Sequence, residues 1–183
     1  MKKWVIGGLL LCIATFVVVK YWWLIYLIVV PPYKGEQFET WQTANGNFQV
    51  RVDAFREANG GFVPGAYYTF LSAPTGSGDW KEIMTFRHDD PIHIQQSKVH
   101  LVNDNVGFVF MGWKYASTSD AGRTWSVWDA CDSAKALKVC NYEGIRNVEL
   151  STDGTGVMIV VPIPERKPNP KLYTEDFGCT WHE

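Results

Sequence analysis

The chain has 183 residues, 46% of them hydrophobic and 20% charged, with a formal charge of −2. That length fits one domain, or one domain with an appendage. The apolar content excludes a disordered chain, the charge argues against a nucleic-acid binder, and four cysteines are too few for a disulfide-built mini-protein. Nine tryptophans are the oddity of the composition.

Residues 4–30 form an apolar run interrupted by one charge, Lys20. A membrane-crossing helix needs about 20 such residues, so the run is predicted to span. Tyr21, Trp22 and Trp23 follow Lys20 as an interfacial aromatic belt would, which favours a snorkelling lysine over one paired inside the membrane. A cleaved signal peptide is the competing reading, because Lys2 and Lys3 precede the run. No small-x-small cleavage site follows, however, and Cys12 is preceded by Leu11 where a lipoprotein signal needs a small residue. Pro31 and Pro32 end the predicted helix. The expected organisation is therefore an anchor over 1–31 and a second domain over 32–183. Lys2 and Lys3 favour the cytoplasm, which predicts a single-pass protein of the cell membrane with its C-terminal domain outside the cytoplasm. Three of the 17 basic residues lie in or before the run, so the rest carries 14 against 19 acidic ones and is a poor match for polyanions.

Beyond residue 32, short runs rich in Val, Phe and Tyr alternate with Gly, Asn, Asp and Pro. Residues 48–52, 66–71, 99–102, 106–111 and 157–161 are examples. Runs of this length and composition predict an all-β domain, with turns at Asn45-Gly46, Asn59-Gly60-Gly61 and Asp153-Gly154. Only residues 132–139 suit a short helix, and the proline-rich stretch 166–171 suits a loop.

One segment recurs. Thr118, Asp120, Gly122, Thr124 and Trp125 match Thr174, Asp176, Gly178, Thr180 and Trp181 at T-x-D-x-G-x-T-W, with a constant offset of 56 residues. A degenerate copy runs from Ser72 to Trp80, with Pro74 in place of the aspartate. Each copy follows two short strands. The chemistry fits a hairpin: the carboxylate accepts backbone N–H groups, the glycine takes positive φ, and the tryptophan folds back over the turn.

The pattern resembles the Asp-box, or BNR repeat, of sialidase-like and photosynthetic-assembly-factor-like β-propellers. The resemblance implies that the box joins the last two strands of a blade and has a structural role, so Asp120 and Asp176 are not expected to be catalytic. Closed propellers have about 4–8 blades. The spacings of 45 and 56 residues between Trp80, Trp125 and Trp181 leave room for about three units. The expected fold is thus an all-β array of Asp-box β-meander units, propeller-like and either closed or half-open, or collapsed to a sandwich. Residues 38–43, including Trp41, are expected to complete the last unit.

Among candidate sites, Cys131 and Cys140 flank residues 132–139 and suit a disulfide. Cys179 is then a free thiol, an intermolecular partner, or the true mate of either. His88, Asp89, Asp90 and His93 include metal-type ligands, but Pro91 marks a linker and neither metal nor cofactor is expected. Tyr67, Tyr68, Glu149 and Asp153 are hydrolase residue types without a fixed geometry. With no Arg-Ile-Pro motif and no length for six blades, a non-catalytic protein is expected. Alternation over 108–113 predicts two half-buried faces, with most of these residues in the core. Trp113, Tyr115 and Trp128 are either core or an exposed binding patch. The function expected from all this is a membrane-anchored protein–protein interaction module: an assembly factor, an envelope component, or a protective partner of an envelope-acting toxin. Its partner would be another envelope protein. The alternative is a cell-surface carbohydrate-binding module or degenerate glycosidase.

Overall fold

The computed structural model describes residues 15–16, 18–22, 32–58, 64–133, 144–161 and 168–183. Residues 15–16 and 18–22 are helical, and among the described residues no helix is long and apolar enough to cross a membrane. Most of the predicted anchor lies outside the described residues.

From residue 33 the chain makes three antiparallel sheets, each a meander in sequence order. The first holds β1 (Tyr33–Ala44), β2 (Phe48–Ala58), β3 (Ala66–Pro74) and β4 (Lys81–His88). The second holds β5 (Val99–Leu101), β6 (Gly107–Met111), β7 (Lys114–Thr118) and β8 (Ser126–Asp129). The third holds β9 (Ile145–Leu150), β10 (Gly156–Val160) and β11 (Lys171–Thr174). The all-β expectation is met, and among the described residues the sheets close into neither a barrel nor a propeller.

Local chemistry sets the first hairpin of every sheet. Asn45 Oδ1 accepts the N–H groups of Asn47 and Phe48, at 3.1 and 2.9 Å. Asn103 Oδ1 accepts those of Asn105 and Val106, both at 2.8 Å. In the third sheet Asp153 Oδ1 accepts Thr155 N at 3.0 Å. A side-chain acceptor that captures the N–H two residues on makes a tight turn, and a tight turn forces neighbouring strands to pair.

The second sheet lies between the other two. Phe108, Phe110, Tyr115 and Trp128 join Val148, Leu150, Met158, Val160, Leu172 and Trp181 in one core. Val109, Met111 and Ala116 join Val50, Val52, Tyr68, Phe70, Met84 and Phe86 in the other. Period-two alternation thus sends successive residues of β6 into different cores, and all five of its residues are buried. The first sheet's outer face is polar instead. Lys34 Nζ reaches over it to donate to Thr69 and Thr85, at 2.8 and 3.1 Å, and Thr40 donates to Asp53 at 2.7 Å.

One expectation is corrected. Residues 38–43 do not complete the last unit: they lie in β1, paired with β2 through Thr40↔Asp53 and Gln42↔Arg51, and Trp41 packs on the core between the first and second sheets. The last sheet is extended by its own chain end, where Tyr173 and His182 exchange backbone hydrogen bonds of 2.8 and 3.0 Å. A helical turn, Ala130–Ser133, begins near the predicted helix, whose remaining residues lie outside those described.

Candidate functional site

The recurring segments occupy one place in each sheet. Residues 75–80 join β3 to β4, residues 119–125 join β7 to β8, and residues 175–181 follow β11. In each, the residue after the aspartate position donates its N–H to the first hairpin turn of its own sheet: Thr75 to Asn47 O (3.1 Å), Ala121 to Asn105 O (2.9 Å) and Phe177 to Gly154 O (2.9 Å). The two intact copies then agree bond for bond. Asp120 Oδ1 accepts Thr118 Oγ1 and Thr124 N, both at 2.9 Å, and Oδ2 accepts Thr124 Oγ1 at 2.6 Å. Asp176 repeats this with Thr174 and Thr180 at 2.7, 2.9 and 2.6 Å. Gly122 and Gly178 have φ of 73° and 79°, each after another positive-φ residue. Burial alone would raise both carboxyls. The threonine and backbone donors outweigh it and hold them below the ordinary carboxylate value. These aspartates are fully engaged in building turns.

The predicted aromatic patch separates into its members. Tyr115 is 0% exposed and stands edge-on to Trp181 at 5.3 Å, and Trp128 is 8% exposed. Both are core, which corrects the exposed-patch reading for them. Trp113 is half-buried against Phe86, with ring centroids 4.9 Å apart.

Tyr67 and Glu149 do not meet, since Glu149 and Asp153 belong to the third sheet. Tyr67 meets Glu57 instead, a residue the sequence did not single out. Arg87 donates to both oxygens of Glu57 at 2.6 and 2.9 Å, Gly65 N donates at 3.0 Å and Tyr67 OH at 3.4 Å. Arg87 chiefly holds the Glu57 carboxyl low, while desolvation and the Glu57 charge push the Tyr67 phenol up. A tyrosine nucleophile needs the opposite shift. The cluster reads as a structural tie on the first sheet's outer face. His88 Nδ1 accepts Asp90 N at 2.9 Å, and His93 Nδ1 lies 3.1 Å from Glu39. Among the described residues no three His, Cys, Asp or Glu are grouped to hold a metal.

Cys131 is disulfide-bonded and Cys179 is free and exposed. Cys179 is therefore not the mate of Cys131, and Cys140 lies outside the described residues.

Open concave surface lies on both sides of β9, the edge strand of the third sheet. One groove, with about 390 Å³ of space, runs between the β5 side of the second sheet (His100, Leu101, Val102, Phe108) and β9 (Asn147, Val148, Glu149, Leu150). His100 stacks on Phe108 at 4.6 Å and 15° along its wall. The other, of about 300 Å³, lies between Glu149, Ser151, Val157, Tyr173 and Glu175. Glu149 borders both. On the same outer face Val157 and Ile159 are half-buried and Tyr173 is 45% exposed. Residues 145–150 are not among the strands read from the sequence. Their apposition to β5 was not legible either, because it depends on how the second and third sheets stack. Comparison with protein-family models, curated proteins and solved structures finds no match for this chain.

Proposed function

We propose that the chain is a membrane-anchored, extracytoplasmic, non-catalytic protein–protein interaction module, built from two intact Asp-box units and one degenerate one, which binds another envelope protein along β9. The observation that carries the reading is the pairing of a repeated scaffold with a sheet edge that no described strand covers. The three turns share one backbone hydrogen bond and the two intact ones share a side-chain network. Among the described residues no strand pairs with the outer edge of β9, which beyond Ile145 N, bonded to Gly112 O at 2.6 Å, runs between two grooves and beside an apolar outer face. Sheet edges and half-apolar faces of this kind take partner strands or partner surfaces. The polar, internally bonded face of the first sheet offers no equivalent.

The carbohydrate-binding alternative has one observation in its favour: Trp80 stands beside Arg51, whose guanidinium carbon lies 4.5 Å from the ring centroid, and Arg51 pairs with Asp53 at 3.1 Å. The guanidinium occupies the ring face on which a sugar would stack, so this arrangement favours the interaction module.

The test is site-specific photocrosslinking of the full chain in its native membrane. A crosslinker at Glu149 is expected to capture a discrete partner that one at Thr85 does not, with capture lost in Val157→Arg. Equal capture at both positions rejects the β9 surface. Retention on a glycan array, abolished by Trp80→Ala, would replace the reading with the alternative.

A further inference from the structure

The first sheet has a defined lower end. Tyr33 opposes Ala58, Arg56 opposes Ala66, and Ala66 opposes His88, so the start of β1, the end of β2, the start of β3 and the end of β4 lie together. Tyr67 Oη lies 3.5 Å from Pro32 O, so the incoming chain meets the sheet at that end. Tyr33 is 54% exposed there. At the opposite end lie the turn at 45–47 and, bonded to it, the turn at 103–105, together with the two recurring turns that donate to them, through Thr75 N and Ala121 N.

We propose that this lower end of the first sheet is a lipid-facing surface, with Tyr33 seated among the headgroups and the turns at 45–47 and 103–105 held away from the membrane. The inference rests on the reading of residues 4–30 as the anchor. Only Pro31 and Pro32 separate that run from β1, and two residues reach at most about 7 Å. The headgroup layer on each side of the hydrocarbon is itself about 5–7 Å thick. A strand that begins two residues past the apolar run therefore begins inside that layer. An exposed tyrosine at its first position suits the layer, because its ring is apolar and its hydroxyl wet. β1 then carries the chain away from the bilayer, so its far end, on the order of 35–40 Å along the strand, presents the turns to the periphery. The groove lined by Leu101 and Val102 adjoins the 103–105 turn and so lies toward that far end, where a partner of the envelope can reach it.

The experiment uses the full chain in phosphatidylcholine and phosphatidylglycerol vesicles that carry a headgroup-level nitroxide quencher. One preparation bears a dye on Asp104→Cys, in the turn bonded to Gly46 at the far end, and another bears it on Tyr33→Cys, both in a Cys179→Ser background. The Cys179→Ser chain, labelled in parallel, supplies the background. Loss of fluorescence at position 33 and none at 104 is expected. Equal quenching at both positions, or stronger quenching at 104, overturns the proposal. Flotation of the same vesicles separates the two readings. A chain that floats yet quenches equally loses the orientation and keeps the anchor, and a chain that does not float loses both.

Discussion

Asn45 Nδ2 donates to the backbone carbonyl of Asn103 at 2.6 Å, so the turn that starts the first sheet is tied to the turn that starts the second. The same Asn45 closes its own turn through Oδ1, and beside it Gly46 N donates to Asp104 Oδ1 at 3.1 Å. One side chain thus sets a local turn and the contact between two sheets. Asn45→Ala removes both. We expect a loss of about 1–2 kcal/mol, read as a lower urea midpoint with unchanged slope, whereas Asp104→Ala costs less because it leaves both turns intact.

Gly178 and Gly76 separate steric cost from backbone cost. Both have positive φ, 79° and 77°. A Cβ at Gly178 would run into the Tyr115 ring and hydroxyl, and one at Gly76 would meet nothing within 4 Å. Gly76→Ala is expected to cost about 1–2 kcal/mol, the left-handed penalty alone. Gly178→Ala adds overpacking of a buried tyrosine and is expected to cost about 1–3 kcal/mol more. Equal melting temperatures for the two variants would contradict the packing of the last turn on the second sheet.

Much of this was legible in sequence because the governing chemistry is local. The alternation of Phe108, Val109, Phe110 and Met111 indicates a strand with two half-buried faces, which the structure buries fully between two cores, and the matched spacing of Asp120 and Asp176 indicates equivalent turns. What failed was long-range pairing. Residues 38–43 looked free to serve the last unit, yet Asn45 makes a turn so tight that β1 pairs with its neighbour β2. The meeting of Glu57 with Arg87, thirty residues apart, depends on two register alignments across β2, β3 and β4, which no spacing in the sequence encodes.

Low pH should unfold the protein through its engaged carboxylates. Glu57 is held below its ordinary value of 4.5, chiefly by Arg87, and Asp120 and Asp176 below theirs of 3.8. A carboxyl whose folded value is depressed stabilises the fold fully above the unfolded value. That contribution is lost as pH falls through the folded one. Stability is therefore expected to hold down to about pH 5 with respect to these groups and to decline below about pH 4.5. Asp120→Asn with Asp176→Asn should be less stable at pH 7 and show a shallower acid decline. An unchanged slope would mean that the turn carboxylates do not carry the effect.

The Glu57 tie predicts an asymmetry between its two partners. The Glu57 side chain is 0% exposed and that of Arg87 is 41% exposed. Arg87→Ala strands a buried carboxylate whose remaining partners among the described residues are Gly65 N and Tyr67 OH. The expected cost is about 2–3 kcal/mol, below that of a fully buried pair because water can reach the site that Arg87 leaves. Tyr67→Phe removes one long hydrogen bond of 3.4 Å and should cost under about 1 kcal/mol. Glu57→Gln with Arg87→Met removes both charges together, and a double-mutant cycle should recover part of the single-variant loss. If Tyr67→Phe were instead the most damaging change, with stability otherwise intact, the phenol would hold a role that a structural tie does not explain.

Cys179 offers the sharpest check on topology. Its thiol is free and exposed, in the turn whose aspartate accepts Thr180 at 2.6 Å, while Cys131 is disulfide-bonded. A membrane-impermeant maleimide added to intact cells should label the full chain at Cys179 without denaturant, and Cys179→Ser should abolish that label. Reduction before labelling should expose Cys131 as a further site. Labelling of Cys179 only after the membrane is opened would place the β domain on the cytoplasmic side. There a reducing pool would also be expected to open the Cys131 disulfide, so the two measurements must move together.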